Sequence, residues 1–395
     1  MTQERKAWVM TAVAFWASIA VAIGRFKVPP VVHELMRELD IGMVTGGWLM
    51  STVSMGRIIL AIPSAFLLMR LGPKTVGIVA LGCSVAGSVI GALSMGVTPL
   101  LLGRVIEGVG VGLMAVVAPA LISMWFAPSK RGLPMGIWVA WVPVGNVIIF
   151  NLAHPIMDAF GWRAVWWFGA AAALSALILF GLVVNVPTHA GKPKNPVPGD
   201  GHSFGRMLFN PTGWLLALAF AIFAFSLLGY NTWAPSYLSE TLGIDLAAAN
   251  TYTSLMFLAA IPANVIAGWM MNRTRHRSLL LTSAFVISTV LFVFSFRLPS
   301  VAVAIVYLAL LGFVTNIIPT SVFTLAPETM PTLQLAGLGL AMANIGSGLG
   351  GLTGPPVLGA VLSGGSWTAG SILLTAVMGF GVLVSVLAGR RINKI

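Results

Sequence analysis

Three arginines fall inside long apolar runs, where a charge needs a partner: Arg25, Arg57 and Arg104. A charge near the centre of a hydrocarbon core costs roughly 2.5–3.5 kcal/mol on insertion scales, so it should face protein or water rather than lipid. A guanidinium also presents a planar fork that matches carboxylate or phosphate through two parallel hydrogen bonds. Against these three stands one acid well inside such a run, Glu107, three residues after Arg104 and so on the same face of a helix. An interior with excess positive charge attracts anions and repels cations. Arg25 and Arg57 are therefore read as ligands of an anionic solute. Arg104 and Glu107 are read as an ion pair, and Glu107 is the first choice if a proton travels through a side chain. Lys27 lies two residues past Arg25, about 200° round a helix, and is read as a charge snorkelling to the interface.

Other chemistry is missing. The sequence has no nucleotide-binding loop, no Cys/His cluster at metal-ligand spacing and no nucleophile–base pair, so neither an enzyme, a metal site nor a cofactor is expected. Cys83 stands alone in an apolar run, which leaves no intramolecular disulfide. The net charge of +12 comes from basic residues scattered through short loops, a distribution that does not suggest nucleic acid. The run GSGLGGLTGPP (346–356) is read as a stripe for close helix packing rather than a phosphate cradle. His154, before Pro155, is read as an interface residue, and Trp138 with Trp141 as packing or an aromatic wall.

The elements that must position these residues are helices in a membrane. Of 395 residues 58% are hydrophobic and only 8% charged, against about 25% charged in soluble domains, and the mean hydropathy is +0.96. Apolar runs of spanning length fall at 7–29, 46–69, 75–96, 99–125, 133–154 and 163–186, then at 213–234, 249–271, 278–296, 299–323, 334–361 and 367–389. Each is about 20 residues or longer, which suits transmembrane helices and not barrel strands. The basic start followed by the first run is read as an uncleaved helix rather than a signal peptide. With both termini cytoplasmic, inside segments hold Arg5, Lys6, Arg70, Lys74, Lys130, Arg131, Lys192, Lys194, Arg206, Arg273, Arg275, Arg277, Arg390, Arg391 and Lys394, fifteen of the 22 Lys and Arg. The chain divides into a six-helix bundle over 1–187, a Pro-, Gly- and Lys-containing cytoplasmic linker over 188–211, and a second six-helix bundle over 212–395.

The halves repeat. GRFKVPPVVHELMRELDI (24–41) aligns with GYNTWAPSYLSETLGID (229–245), pairing Gly24 with Gly229, Pro30 with Pro235 and Asp40 with Asp245. AFLLMRLGPK (65–74) aligns with GWMMNRTRHR (268–277), and 135–155 with 338–356, placing Gly145 over Gly346 and Pro155 over Pro356. Three matches in one order indicate a duplicated transporter architecture.

These residues resemble the Major Facilitator Superfamily of secondary transporters over nearly the whole chain. The family's loop after the second helix, G-x-x-x-D-R-x-G-R/K-K/R, is matched at Arg70, Gly72 and Lys74, with Ala65 and Met69 in place of its Gly and Asp. The second copy keeps Gly268 and Arg273 with Asn272 for Asp. These loops are implied to take part in conformational switching, without the aspartate that ties the family's two bundles together. GRVIEGVGVG (103–112) resembles the fourth-helix pattern, and APSKRGLPMGIW and GWRAVWWF the loops beyond it. Arg25 late in the first helix, Pro29-Pro30, and Gly47-Trp48 with Ser51 are most similar to the organic anion symporter-like branches.

The resemblance implies an all-α integral membrane protein of twelve transmembrane helices in two pseudo-symmetric six-helix bundles, a monomer in the cell (inner) membrane. It implies alternating access around a site near the membrane midplane, lined by the first, fourth, seventh and tenth helices. Tyr230, Asn231 and Asn316 then become substrate ligands, while Asn264 and Asn344 are read as bonding between helices. The expected function is secondary active transport of a small anionic solute, a carboxylate first, by proton symport or exchange for a counter-anion. The alternative is a proton-driven drug or metabolite exporter, whose marks, an acid in the first helix or G-x-x-x-G-P-x-x-G-G in the fifth, are absent.

Overall fold

A computed structural model describes residues 3–60, 63–126, 132–185, 209–274, 276–330 and 336–392. Most of the predicted linker, 188–208, lies outside them, as do Lys130, Arg131, Lys192, Lys194, Arg206, Arg275 and Lys394 of the orientation count. The described residues form two compact units, one within 1–39 and 52–197, the other within 40–51 and 198–395.

Among the described residues the first nine α-helices are α1 (Gln3–Phe26), α2 (Val32–Glu38), α3 (Met43–Ser51), α4 (Val53–Ile59), α5 (Pro63–Ala92), α6 (Val97–Trp125), α7 (Gly132–Val139), α8 (Trp141–Phe160) and α9 (Trp162–Val183). They are followed by α10 (Pro211–Leu242), α11 (Leu246–Arg273), α12 (Arg277–Phe292), α13 (Val301–Thr315), α14 (Ile317–Glu328), α15 (Ala336–Leu362) and α16 (Trp367–Ile392). Among the described residues ten helical stretches are long and apolar enough to cross a membrane, including Gln3–Glu38 and Val301–Glu328. They cover ten of the twelve predicted spans. The ninth is the shorter apolar helix α12, and the second, expected as one helix over 46–69, is divided among α3, α4 and the start of α5.

Prolines explain where predicted helices break. Pro63, Pro143 and Pro319 lack the N–H that would bond the carbonyl four residues back, and their rings crowd it. Those carbonyls belong to Ile59, Val139 and Thr315, and α4, α7 and α13 end at these three residues. A different device turns the chain inside α5: Gly72 has φ +75° and ψ 162°, a region essentially confined to glycine that costs a side-chain-bearing residue about 1–3 kcal/mol. At the start of α10 the Asn210 side chain accepts from Thr212 N–H, and Asp245 and Ser300 do the same for α11 and α13.

In the first unit α1 packs on α6, α8 and α9, α4 on α6, and α5 on α6 and α9. In the second, α10 packs on α15 and α16, α11 on α13, and α12 on α16, with α3 laid against α15. The pairings of first with fifth, second with fourth and third with sixth span recur as seventh with eleventh, eighth with tenth and ninth with twelfth. Small residues allow the approach. Gly346, Gly350 and Gly354, one turn apart on α15, lie directly against the backbone of Ala217, Ala221 and Phe225 on α10. Such small-residue stripes bring membrane helices into backbone contact, where dispersion replaces the hydrophobic driving force that lipid does not supply. Gly145, their counterpart on α8, meets Ala22 and the backbone of Ile19 and Ile23 on α1.

Candidate functional site

The charged core of the first unit is assembled where α1 stops. The helix ends at Phe26, just before Pro29-Pro30, leaving its last carbonyls without partners within the helix. Arg104 reaches across from α6 to fill that need: its Nη1 donates to the carbonyl of Gly24 at 2.6 Å and its Nη2 to that of Arg25 at 2.7 Å. A cation there also meets the negative end of the helix dipole. Arg104 further pairs through Nη1 with Oε2 of Glu107, as their spacing predicts.

Glu107 has a second cation. Lys27 lies beyond the end of α1, so it does not follow that helix's angular spacing, and its Nζ turns inward to Oε1 of Glu107 at 2.5 Å and to Oγ of Ser88 at 2.9 Å. Ser88 in turn donates to Oε1 of Glu107 at 2.6 Å. The ammonium also sits 4.8 Å from the Trp166 ring centre. Lys27 and Arg104 are 0% exposed and Glu107 2%. The interface charge expected at Lys27 is thus a buried ion-pair member, because the prolines end the helix before it. Glycines make room: a Cβ on Gly169 would lie 3.4 Å from Lys27 Nζ, and one on Gly87 2.7 Å from Glu107 Cγ.

Arg25 stands apart from this network. It is buried at 6% exposure, its guanidinium carbon lies 4.9 Å from the Phe26 ring centre, and its Nε has no hydrogen-bond partner. Among the described residues no carboxylate pairs with it. The like charges of Arg57 and Arg104 lie within electrostatic range. Arg57 is on α4, half-buried, at the place where Gly112 of α6 comes close to its Cα. Among the described residues the interior of the first unit holds Arg25, Lys27 and Arg104, with the half-buried Arg57 within electrostatic range of Arg25, and Glu107 as the one buried carboxylate, already shared by Lys27 and Arg104.

An unanticipated residue lies on α8, which packs on the α1 helix that carries Arg25. Asn146 follows Gly145, is fully buried, and neither atom of its side-chain amide has a hydrogen-bond partner among the described residues. Nothing in an apolar run marks one asparagine over another, and Ser88 carried no signal either.

In the second unit Asn231 is in the same condition, 0% exposed with both amide atoms unpartnered. Tyr230 beside it is packed among Phe292, Phe296 and Tyr307, with ring centres 5.1–6.4 Å apart, and its hydroxyl has no partner. Asn316, at the break before α14, donates to the Gly312 carbonyl of its own helix at 2.8 Å. Asn264 accepts from Thr320 at 3.0 Å, bonding α11 to α14. Trp138 and Trp141 stack at 6.2 Å, and Trp138 donates to Ser18 of α1. Of the loop residues, Arg70 is exposed, Gly72 makes the bend described above and Lys74 is half-buried. In the other copy Gly268 has nothing within 4 Å of a Cβ position and Arg273 lies over Trp269 at 4.6 Å, while the Asn272 side chain is outside the described residues.

Comparison with known proteins agrees with this architecture. The Major Facilitator Superfamily profile matches residues 14–336 and 238–393. The chain is 25% identical over 379 residues to the "Probable sulfoacetate transporter SauU" of Cupriavidus necator, covering 90% of this chain and 87% of that one. It is 23% identical over 359 residues to the niacin transporter NiaP of Acinetobacter baylyi, covering 83% and 81%. In fold it is similar to the crystal structure of a bacterial homologue of the human lysosomal transporter Spinster in an inward-facing, occupied conformation. The TM-score is 0.77 at 17% identity, over 100% of this chain and 97% of the other. At that identity the likeness speaks for the fold alone.

Proposed function

The chain belongs to the Major Facilitator Superfamily, and we propose that it is a secondary transporter of a small organic anion, a carboxylate or sulfonate, working by alternating access. The observation that carries this reading is Arg25. A buried guanidinium with no carboxylate among the described residues, and with two like charges in range, is costly until an anion pairs with it. Glu107 is not available for that purpose, because Lys27 and Arg104 already hold both of its oxygens. Arg57 adds a second positive charge to the same region. Asn146, on the helix pair that carries Arg25, offers both a donor and an acceptor for the neutral part of the solute.

The relatives support the sign of the charge, since sulfoacetate and niacin are both small organic acids. The exporter reading has no counterpart observation, because the buried excess is positive and would repel a lipophilic cation. Drive is assigned to proton symport or to exchange for a counter-anion, in a monomer of the inner membrane with both termini cytoplasmic. The test is uptake of labelled sulfoacetate and nicotinate into proteoliposomes, either with an imposed pH gradient or preloaded with unlabelled anion. Anion uptake under one of the two regimes, with no uptake of a lipophilic cation, is the expected result. Uptake of lipophilic cations alone would replace this reading with the exporter.

A further inference from the structure

We propose that the groove between α10 and α16 in the second unit is a binding site for one phospholipid with an anionic headgroup. It is a cavity of about 370 Å³ lined by Pro211, Trp214, Leu215, Leu218, Leu387 and Arg391. Pro211 opens α10 and Arg391 lies in the last turn of α16, so both mark the mouth of the groove at one face of the unit. Leu215 and Leu218 lie one and two turns inward on α10, and Leu387 one turn inward on α16. The site is therefore graded: basic at the mouth, with Trp214, Leu215 and Leu387 about one turn inward and Leu218 about two.

That gradient is the shape of a lipid at a bilayer interface. Leu218 and Leu387 are 40% and 50% exposed and Trp214 39%, an apolar strip suited to an acyl chain beneath an interfacial tryptophan. Arg391 makes no ion pair or hydrogen bond with any described residue. By contrast, Arg277 at the start of α12 is paired with Glu328, and Arg273 at the end of α11 is stacked on Trp269. A phosphodiester presents two oxygens to that guanidinium. Arg390 beside it would repel the ammonium of a zwitterionic headgroup, so charge complementarity selects a headgroup without one.

The experiment is thermal denaturation of the detergent-purified full-length protein with dioleoyl phosphatidylglycerol, dioleoyl phosphatidylcholine or glycerol 1-phosphate, in wild type, Arg391→Gln and Arg390→Gln. Phosphatidylglycerol should raise the melting temperature by several degrees in wild type and in Arg390→Gln, and hardly at all in Arg391→Gln. The other two compounds should give little in wild type, and phosphatidylcholine should gain a shift in Arg390→Gln, where the repulsion of its ammonium is removed. Equal loss in both arginine variants means diffuse attraction to the basic tail and overturns the site. In wild type, an equal shift with phosphatidylcholine overturns headgroup selection, and an equal shift with glycerol 1-phosphate overturns the role of the groove. Should Arg391→Gln itself fold poorly, Leu218→Trp fills the groove with every charge kept, and a retained shift in that variant contradicts the proposal.

Discussion

Arg25 and Glu107 are both buried charges in one helical unit, yet their removal should have opposite effects on stability. Glu107 neutralises Lys27 and Arg104, so Glu107→Gln leaves two cations facing each other without a counter-charge. Breaking such a buried pair costs about 3–5 kcal/mol, and the apparent melting temperature should fall sharply. Adding Lys27→Met should restore part of that loss, since the double variant no longer buries the orphaned ammonium; additive losses would mean the two residues do not interact. Arg25 has no such debt to neighbours. Arg25→Met should leave the ligand-free protein as stable as wild type or more so, because it removes a guanidinium that is desolvated by burial and repelled by Arg57 and Arg104. The same substitution should weaken anion binding about 10- to 100-fold, the scale of losing a hydrogen bond to a charged group worth about 1.5–3 kcal/mol. The Arg104–Glu107 pair was legible from its spacing of three. Lys27 was not, because its direction depends on α1 stopping at Phe26, and Asn146 was not, because its burial depends on how α8 meets α1.

Among the elements, hydropathy located ten of the twelve expected spans, because each must bury about 20 residues in lipid whatever its neighbours do. The breaks at Ile59, Val139 and Thr315 were harder to foresee. Membrane helices tolerate proline where neighbours satisfy the freed carbonyl, and Pro119, Pro235 and Pro262 lie inside unbroken helices here. Which proline breaks its helix is decided by packing rather than by the local sequence. Packing also separates the glycines. Gly346→Leu should destabilise by about 1–3 kcal/mol or prevent folding, since its new side chain would enter the Ala217 backbone. Gly268→Ala, with nothing within 4 Å of the added carbon, should leave the melting temperature unchanged or slightly raised. Similar losses at both positions would contradict the close-approach account of the α15 glycines.

Across the molecule, duplication was visible in three weak matches, and the repeated helix pairings of the two units bear it out. The physical reason is that each half solves the same problem, burying small-residue stripes against a partner helix, so the positions of Gly145 and Gly346 survive where most side chains have changed. The solute is not legible in this way, since its identity depends on the placing of a few polar groups rather than on any period. What composition and structure share is the sign of the interior charge. The most direct test is thermal stabilisation of the detergent-purified protein by small carboxylates, sulfonates, organic cations and neutral compounds, in wild type and in Arg25→Met. Stabilisation of wild type by one or more anions, lost in Arg25→Met although that variant is itself folded, is the predicted result. Stabilisation by cations or neutral compounds alone, or an anion effect that survives in Arg25→Met, would contradict it.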